Sequence, residues 1–553
     1  MDTITEMADE AKVSGANHEA NKQHKLTLEK EGHGCSNLSP PPSSASATCH
    51  HSNSRSSWGS EQFSQDKCGQ YPDARVEGTL PREDHGPYEV SFDGDQDPMC
   101  PRSMPLVRKW VIVLIVCTGT LCVTCTSSIY TTTYTQMNPE FHTSTLISTI
   151  GLSSFVLGIG TGPLLTGPLS EHYGRRPIYL VAWTMFLVWT IPSAVAKNIQ
   201  TIIVSRFFNG FTGGTFLSVA GGTAGDVFSR NQIQAPMALV SSVPFIGPSL
   251  GPVLGGFINS HLDWRWTYYI MIIWSAVLLI CMIFFAPETY HPIILRARAR
   301  ALRQETGNER YRAPMEDNTK TWRQIIIVAL LRPFQLLFLE PMCLCLDIYS
   351  AILLGILYLF FGTFPMVFRT TYDMNLWQGG LTFVGIIVGM VIVAATTPIW
   401  SNIRERLLNN NAKEPGRSEP EYRLPPAIVG GILIPLGLFW FGWTTYSSIH
   451  WIVPIIGSAV FGGGLLLAFT GIFTFLVDAY PQYAASALAA NGFARCTFAA
   501  AFPLFGSQMY DKLGYQWATS LLAFLTVAMM PFPWLFFKYG KALRAKSKFA
   551  LPD

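Results

Sequence analysis

Three charged side chains sit inside stretches that are otherwise apolar: Arg206 in SRFFNGFTGG, Asp347 in LEPMCLCLDIYSAILLG and Arg495 in NGFARCTF. A charge placed in a hydrocarbon setting costs at least ~2.5 kcal/mol, so each should face a cavity, a partner or a path for ions. A lone carboxyl at Asp347 suits two tasks, accepting and releasing a proton or recognising a cationic substrate. The competing reading is a structural bridge between Asp347 and Arg495. Glu340 lies seven residues earlier, near the end of the same run. Asp347 and Glu340 are the carboxyls that could carry a coupled proton.

Other chemistries lack their parts. The histidines fall in tails, loops or the edges of apolar runs, with no H-x-x-x-H pair and no G-x-S-x-G. G-x-x-x-x-G-K-[ST] is also missing, which leaves no phosphate-cradling loop for an ATP-driven pump. Cys122 and Cys125 form a C-x-x-C inside an apolar run with no second pair, which reads as small packing residues. The expectation is therefore no enzyme, no metal and no cofactor beyond a proton gradient.

The elements that hold these charges are apolar runs. The chain is 49% hydrophobic and 14% charged over 553 residues, too apolar for a soluble protein of this length. Runs of about 20 residues match a ~30 Å bilayer core, and they lack strand alternation. Twelve spans are predicted, at 109–131, 145–166, 178–196, 200–221, 235–258, 266–286, 338–363, 377–399, 426–446, 451–475, 483–505 and 515–537. The break at 287–337 divides them six and six. Neither an intramembrane enzyme nor a receptor accounts for this duplication. With the N-terminus inside, cytosolic segments hold 25 Lys and Arg residues and outer loops hold four, which supports both termini in the cytosol. The first 100 residues carry 17 acidic and 8 basic side chains and no apolar run, so they read as a disordered cytosolic tail. The central loop, RARARALRQETGNERYRA, is either a basic amphipathic helix on the inner leaflet or a solvated linker. Residues 538–553 form a basic cytosolic tail.

Two glycine-bearing stretches stand out. GPLSEHYGRRPIYL separates spans two and three, with Gly167 and Gly174 permitting close approach and Glu171, Arg175 and Arg176 offering a breakable charge contact, a gating device. In span five, PFIGPSLGPVLGGF repeats Gly247, Gly251 and Gly255 every four residues, hence on one face. Pro248 and Pro252 recur beside them, and Gly256 follows.

These motifs carry a resemblance. Gly167, Leu169, Ser170, Glu171, Gly174, Arg175 and Arg176 are similar to the signature loop of the major facilitator superfamily, with Glu where Asp is usual. Arg206, Asn209 and Gly210 resemble that family's span-four pattern, assigned to proton transfer. G-P-x-x-G-P-x-x-G-G resembles its antiporter motif, and LDWRWTYYI with PETYHPIILRARARALRQETGN looks like the fungal drug:proton antiporter group. The resemblance covers roughly 100–545. It implies an all-α polytopic membrane protein of the major facilitator fold, in two six-helix pseudo-repeats. It also implies proton-coupled export of small amphipathic or hydrophobic compounds such as drugs, toxins or secondary metabolites. Polyamine or nutrient transport is the alternative. Tyr130, Asn209, Tyr349, Tyr358, Phe361, Asn491 and Arg495 are candidates for the substrate cavity. The expected partners are a small molecule and membrane lipid, without nucleic acid, for a monomer in the plasma membrane.

Overall fold

The computed structural model describes residues 88–93, 97–229, 232–317, 322–409, 419–545, 547 and 549–550. The predicted tail up to residue 87 lies outside the described residues. So do Arg230, Lys320, Lys413, Arg417, Lys546 and Lys548 of the charge count.

The helices, in chain order, begin with α1 (Leu106–Ile129), α2 (Tyr134–Phe141), α3 (Thr145–Tyr173), α4 (Arg175–Ala194), α5 (Ile199–Val227), α6 (Gln234–His261) and α7 (Arg265–Phe285). Next come α8 (His291–Thr306), α9 (Trp322–Leu339), α10 (Pro341–Tyr372), α11 (Leu376–Leu381), α12 (Val384–Ala395) and α13 (Thr397–Asn409). The chain continues with α14 (Pro425–Thr444), α15 (Ile452–Ala479), α16 (Ala484–Met529) and α17 (Pro531–Arg544).

Ten helical stretches among the described residues are long and apolar enough to cross a membrane. One of them, Pro481–Arg544, contains a break at Gly514, whose φ of +75° departs from the helix and divides two crossings. Helix α5 has 29 residues and supplies the twelfth. Its Arg206, Asn209 and many small residues lower its hydropathy, and those side chains are buried by protein. Helix α7 shows the opposite pattern: Ile273, Val277, Ile280 and Phe284 form an exposed apolar stripe suited to lipid.

Small residues bring the helices together. A Cβ at Gly158 or Gly162 of α3 would strike the backbone of Phe207 or Phe211 in α5. In the second half, a Cβ at Gly389 of α12 would strike the Ala459 carbonyl of α15, and one at Gly462 would strike Ile386. Spans two and four therefore meet as spans eight and ten do, an echo of the repeat.

The halves touch at several depths. Phe257 of α6 stacks on Trp377 of α11, near the C-terminal end of α6. Ser153 of α3 donates to the Ala500 carbonyl of α16 at 2.5 Å, and Ser127 of α1 bonds Tyr358 of α10 at 2.9 Å. Toward the opposite ends, Phe245 of α6 stacks on Phe469 of α15 with centroids 4.4 Å apart.

Two stretches differ from the sequence expectation. The central basic segment is helical as α8, but its apolar face is covered by protein. Residues 88–93 and 97–100, assigned by composition to the disordered tail, are packed on it. Val90, Phe92 and Cys100 join Leu295, Ala299 and Ala313 in one cluster. Arg298 bridges Asp93 and Asp97, and the Val90 N–H donates to the Arg312 carbonyl at 2.9 Å. Three apolar side chains in a charged stretch too short to register as a run provide this anchor.

Candidate functional site

The gating stretch is mostly helix. Residues 167–173 form the last turns of α3, and Gly174 alone makes the turn, with φ +101°. Glu288, just after α7, fills the space beside it: a Cβ on Gly174 would lie 2.5 Å from Glu288 Oε2. The Arg175 and Arg176 N–H groups donate to Glu288 Oε1 and Oε2 at 2.9 and 3.0 Å. A carboxylate thus caps the N-terminus of α4, where orphan N–H groups and the helix dipole favour an anion. Arg175 donates from Nε to Asp226 at 3.1 Å and from Nη1 to Ser170 Oγ at 2.8 Å. Its guanidinium also lies 4.7 Å from the Tyr290 ring. Arg176 Nη2 donates to the Ile283 carbonyl at 3.1 Å. Glu171 is exposed and forms no ion pair among the described residues. A Cβ at Gly167 would meet nothing within 4 Å, so the expected close approach belongs to Gly174 alone. Leu169 is partly buried on α3.

Asp226 and Glu288 belong to this network and were missed by sequence reasoning. Their signal was an acid at the C-terminal end of span four and another just after span six. His291 extends the network, its Nε2 donating to the Asp226 carbonyl at 2.9 Å. Burial, helped by the nearby Arg102 charge, pushes the His291 imidazole down to about 4.

Arg206 is fully engaged inside the first half. Nε donates to the Gly151 carbonyl at 2.9 Å, and Nη2 donates to the carbonyls of Ser127 at 2.9 Å and Thr126 at 3.3 Å. Its guanidinium lies over the rings of Tyr130 and Phe155, at 4.1 and 4.7 Å. The side chain ties α1, α3 and α5 together.

In the second half, Asn491 Nδ2 donates to Asp347 Oδ1 at 2.8 Å and to Ser350 Oγ at 2.7 Å. Cys343 Sγ donates to Asp347 Oδ2 at 3.4 Å. The expected alternative, a direct Asp347–Arg495 bridge, does not form among the described residues. Arg495 instead lies beside Phe473, Phe469 and Phe245, with 4.6, 5.4 and 5.9 Å to their ring centroids. Glu340 is buried in the break between α9 and α10, one and a half turns or more from Asp347.

The remaining cavity candidates divide. Tyr358 reaches across the halves to Ser127, and Asn491 and Arg495 share one face of α16. Tyr130 packs on Arg206 within the first half, and Asn209 donates to Thr190 Oγ1 and the Phe186 carbonyl of α4. Tyr349 is fully buried with its hydroxyl against Gly431 of α14, and Phe361 packs on Phe383 beside α12. These four sit within one half or the other.

The glycine face of α6 meets α1. A Cβ at Gly247, Gly251 or Gly255 would collide with Thr124, Ser128 or Thr132 respectively. Gly256 turns the other way, onto α11, with Gly380 Cα 3.4 Å from its Cβ position. At Gly380, a Cβ would strike the Pro252 carbonyl. Pro248 and Pro252 are buried, and α6 runs unbroken through both.

Comparison with known proteins agrees with this geometry. The profile of the Major Facilitator Superfamily matches residues 116–503. Efflux pump atB of Aspergillus terreus is 49% identical over 503 residues, covering 90% of this chain and 98% of that protein. The probable drug/proton antiporter YHK8 of Saccharomyces cerevisiae is 42% identical over 471 residues, covering 84% and 91%. Among solved structures, the xylose transporter XylE from E. coli, in a partially occluded inward-open conformation, superposes with a TM-score of 0.55. It is 17% identical, with 77% of this chain and 99% of that one covered.

Proposed function

Since the chain belongs to the Major Facilitator Superfamily, we propose that this multi-pass membrane transporter is a proton-coupled exporter of small amphipathic or hydrophobic organic compounds. The observation that carries the direction of transport is the glycine–proline face of α6. It presses on α1 through Gly247, Gly251 and Gly255 and meets α11 of the other half through Pro252 and Gly256. Such a helix, backbone-close to a neighbour on each side, can transmit rocking of one half against the other. The relatedness to an efflux pump and to a probable drug/proton antiporter supports the same direction.

The carrier alternates between inward-open and outward-open states. The Arg175–Asp226–Glu288 network holds the cytosolic base of the first half, and Asp347, a buried carboxyl inside span seven, carries the coupled proton. The excess of Lys and Arg in the inner segments supports cytosolic termini. We place the protein in the plasma membrane, acting as a monomer without a bound cofactor. The test is efflux of a fluorescent dye from pump-deficient yeast expressing the full chain. Efflux should collapse on addition of a proton uncoupler; uncoupler-insensitive efflux would overturn proton antiport.

A further inference from the structure

We propose that the cargo site centres on Arg495 and takes a planar aromatic organic anion, whose carboxylate pairs with the guanidinium while its ring packs among Phe245, Phe469 and Phe473. This rests on the exporter reading above and specifies its substrate class.

The first observation is an unanswered charge. A guanidinium offers five N–H donors and no acceptor. Arg495 makes no hydrogen bond or ion pair among the described residues, and its Nε is buried without a partner. It lies eleven residues into α16, about 16 Å from the cytosolic end at 1.5 Å per residue, roughly halfway through a ~30 Å core. Water does not compensate a cation cheaply at that depth.

The second is the charge balance of the interior. Beyond residue 100, only Arg206, Arg495 and Asp347 carry charge well inside the spans. With Asp347 ionised their charges sum to +1, and Arg206 is already satisfied by three carbonyls. One monovalent anion at Arg495 brings the interior to neutrality. Asp347 does not fill that role by contact: it forms no ion pair with Arg495 among the described residues, and its oxygens accept from Asn491 and Cys343 instead. The side-chain amide oxygen of Asn491, one turn from Arg495 on the same face, is itself buried without a partner.

The third is shape. Phe245 belongs to the first half and Phe469 and Phe473 to the second, so a molecule seated here touches both bodies that must move. Flat aromatic walls around a planar guanidinium favour a flat aromatic acid over a hydrated inorganic anion. The fork geometry suits a bidentate carboxylate. A cationic cargo would meet like charge. Exchange of an outgoing anion for an incoming proton moves positive charge inward on both limbs, so an inside-negative potential drives both.

The test uses the full chain in pump-deficient yeast and three matched probes: naphthoate, neutral naphthamide and cationic naphthylmethylammonium. Uncoupler-sensitive efflux should favour naphthoate over the other two, and Arg495→Gln should cut naphthoate efflux about tenfold or more, the scale of losing one partner of a buried charge pair. Arg495→Lys, which keeps the charge and loses the fork, should retain anion preference at a lower rate. If Arg495→Gln does not accumulate in the membrane, the wild-type preference and the Arg495→Lys result decide. Preferential efflux of the ammonium probe, or naphthoate efflux undiminished in Arg495→Gln, overturns the anion site and leaves the exporter standing. No uncoupler-sensitive efflux of any of the three overturns both.

Discussion

Arg206 and Arg495 are the same residue type, each inside a span and each beside aromatic rings, yet the two halves treat them in opposite ways. Arg206 spends its donors on three backbone carbonyls from α1 and α3 and is 1% exposed. Arg495 has rings around it and, among the described residues, no acceptor for its protons. A cation held by three backbone carbonyls locks helices together; a cation with no acceptor beside it is ready for something that comes and goes. Arg206 thus ties the helices of the first half together, while Arg495 stands among rings from both halves. The Arg175–Asp226–Glu288 network follows the same division, since all three residues belong to the first half and its exit.

The sharpest way to break that contrast is to remove the anchored cation. Arg206→Gln strands several buried acceptors, each worth about 1–3 kcal/mol, and opens space between Tyr130 and Phe155. Folded protein recovered from membranes should fall about tenfold or more, as abundance follows stability. Size-exclusion of a fluorescent fusion reads this directly. Equal recovery of Arg206→Gln and wild type would make the two arginines alike and end the comparison.

Asp347→Asn sharpens the contrast from the other half. The substitution keeps the shape and the neighbours Asn491 and Cys343, so membrane abundance should stay near wild type. Uncoupler-sensitive efflux should fall about tenfold, the lower range expected when a proton carrier is lost. Efflux that stays coupled would remove Asp347 from the proton path and leave Glu340 as the remaining carboxyl of span seven.

Much of this architecture is legible in the sequence, for physical reasons that also mark where legibility stops. Hydropathy and the Lys/Arg bias report on each residue's preference for lipid, water or the inner leaflet, which suffices for twelve crossings and two halves. The glycines of α6 were readable because their period matches the helix, and the contacts with Thr124, Ser128 and Thr132 follow from it. Partners distant in sequence were not readable. Nothing in SEHYGRR says that Glu288, more than a hundred residues on, supplies the acid that caps α4, while Glu171 stays exposed. Aromatic residues were the weakest guide: Tyr349 and Phe361 share composition with Tyr358, but helix rotation sends Tyr358 alone across to the other half.

That difference between the two acids gives a smaller prediction within the first half. Glu288→Gln should slow efflux about fivefold, because its carboxylate accepts from four N–H groups as a charged cap, and charge-assisted bonds run near ~1.5–3 kcal/mol. Glu171→Gln should change the rate by about twofold or less, in line with a surface charge. Both should reach the membrane normally. A larger effect at Glu171 would mean that the acid finds its partner in another state of the cycle, so that the first half is less fixed than its contacts here imply.

The smallest effect concerns the strap, residues 88–93 and 97–100, through His291. The imidazole touches Phe92 of the strap edge-on at 5.5 Å and donates to the end of α5. Burial holds it at about 4 in the fold, against about 6.5 for an exposed histidine. Between those values the unfolded chain binds more protons than the folded one, so stability falls as pH drops from about 6.5 toward 4 and is fully present above 6.5. His291→Asn keeps a donor and removes the titration. In detergent, the wild-type melting temperature should therefore fall by about 2–4 °C more than that of His291→Asn over this window, the shift that roughly 3 kcal/mol produces against the unfolding entropy of a chain this long. Parallel pH profiles would mean that the imidazole reaches water in the folded protein, and that the strap sits less tightly on α8 than the Val90–Phe92–Cys100 cluster requires.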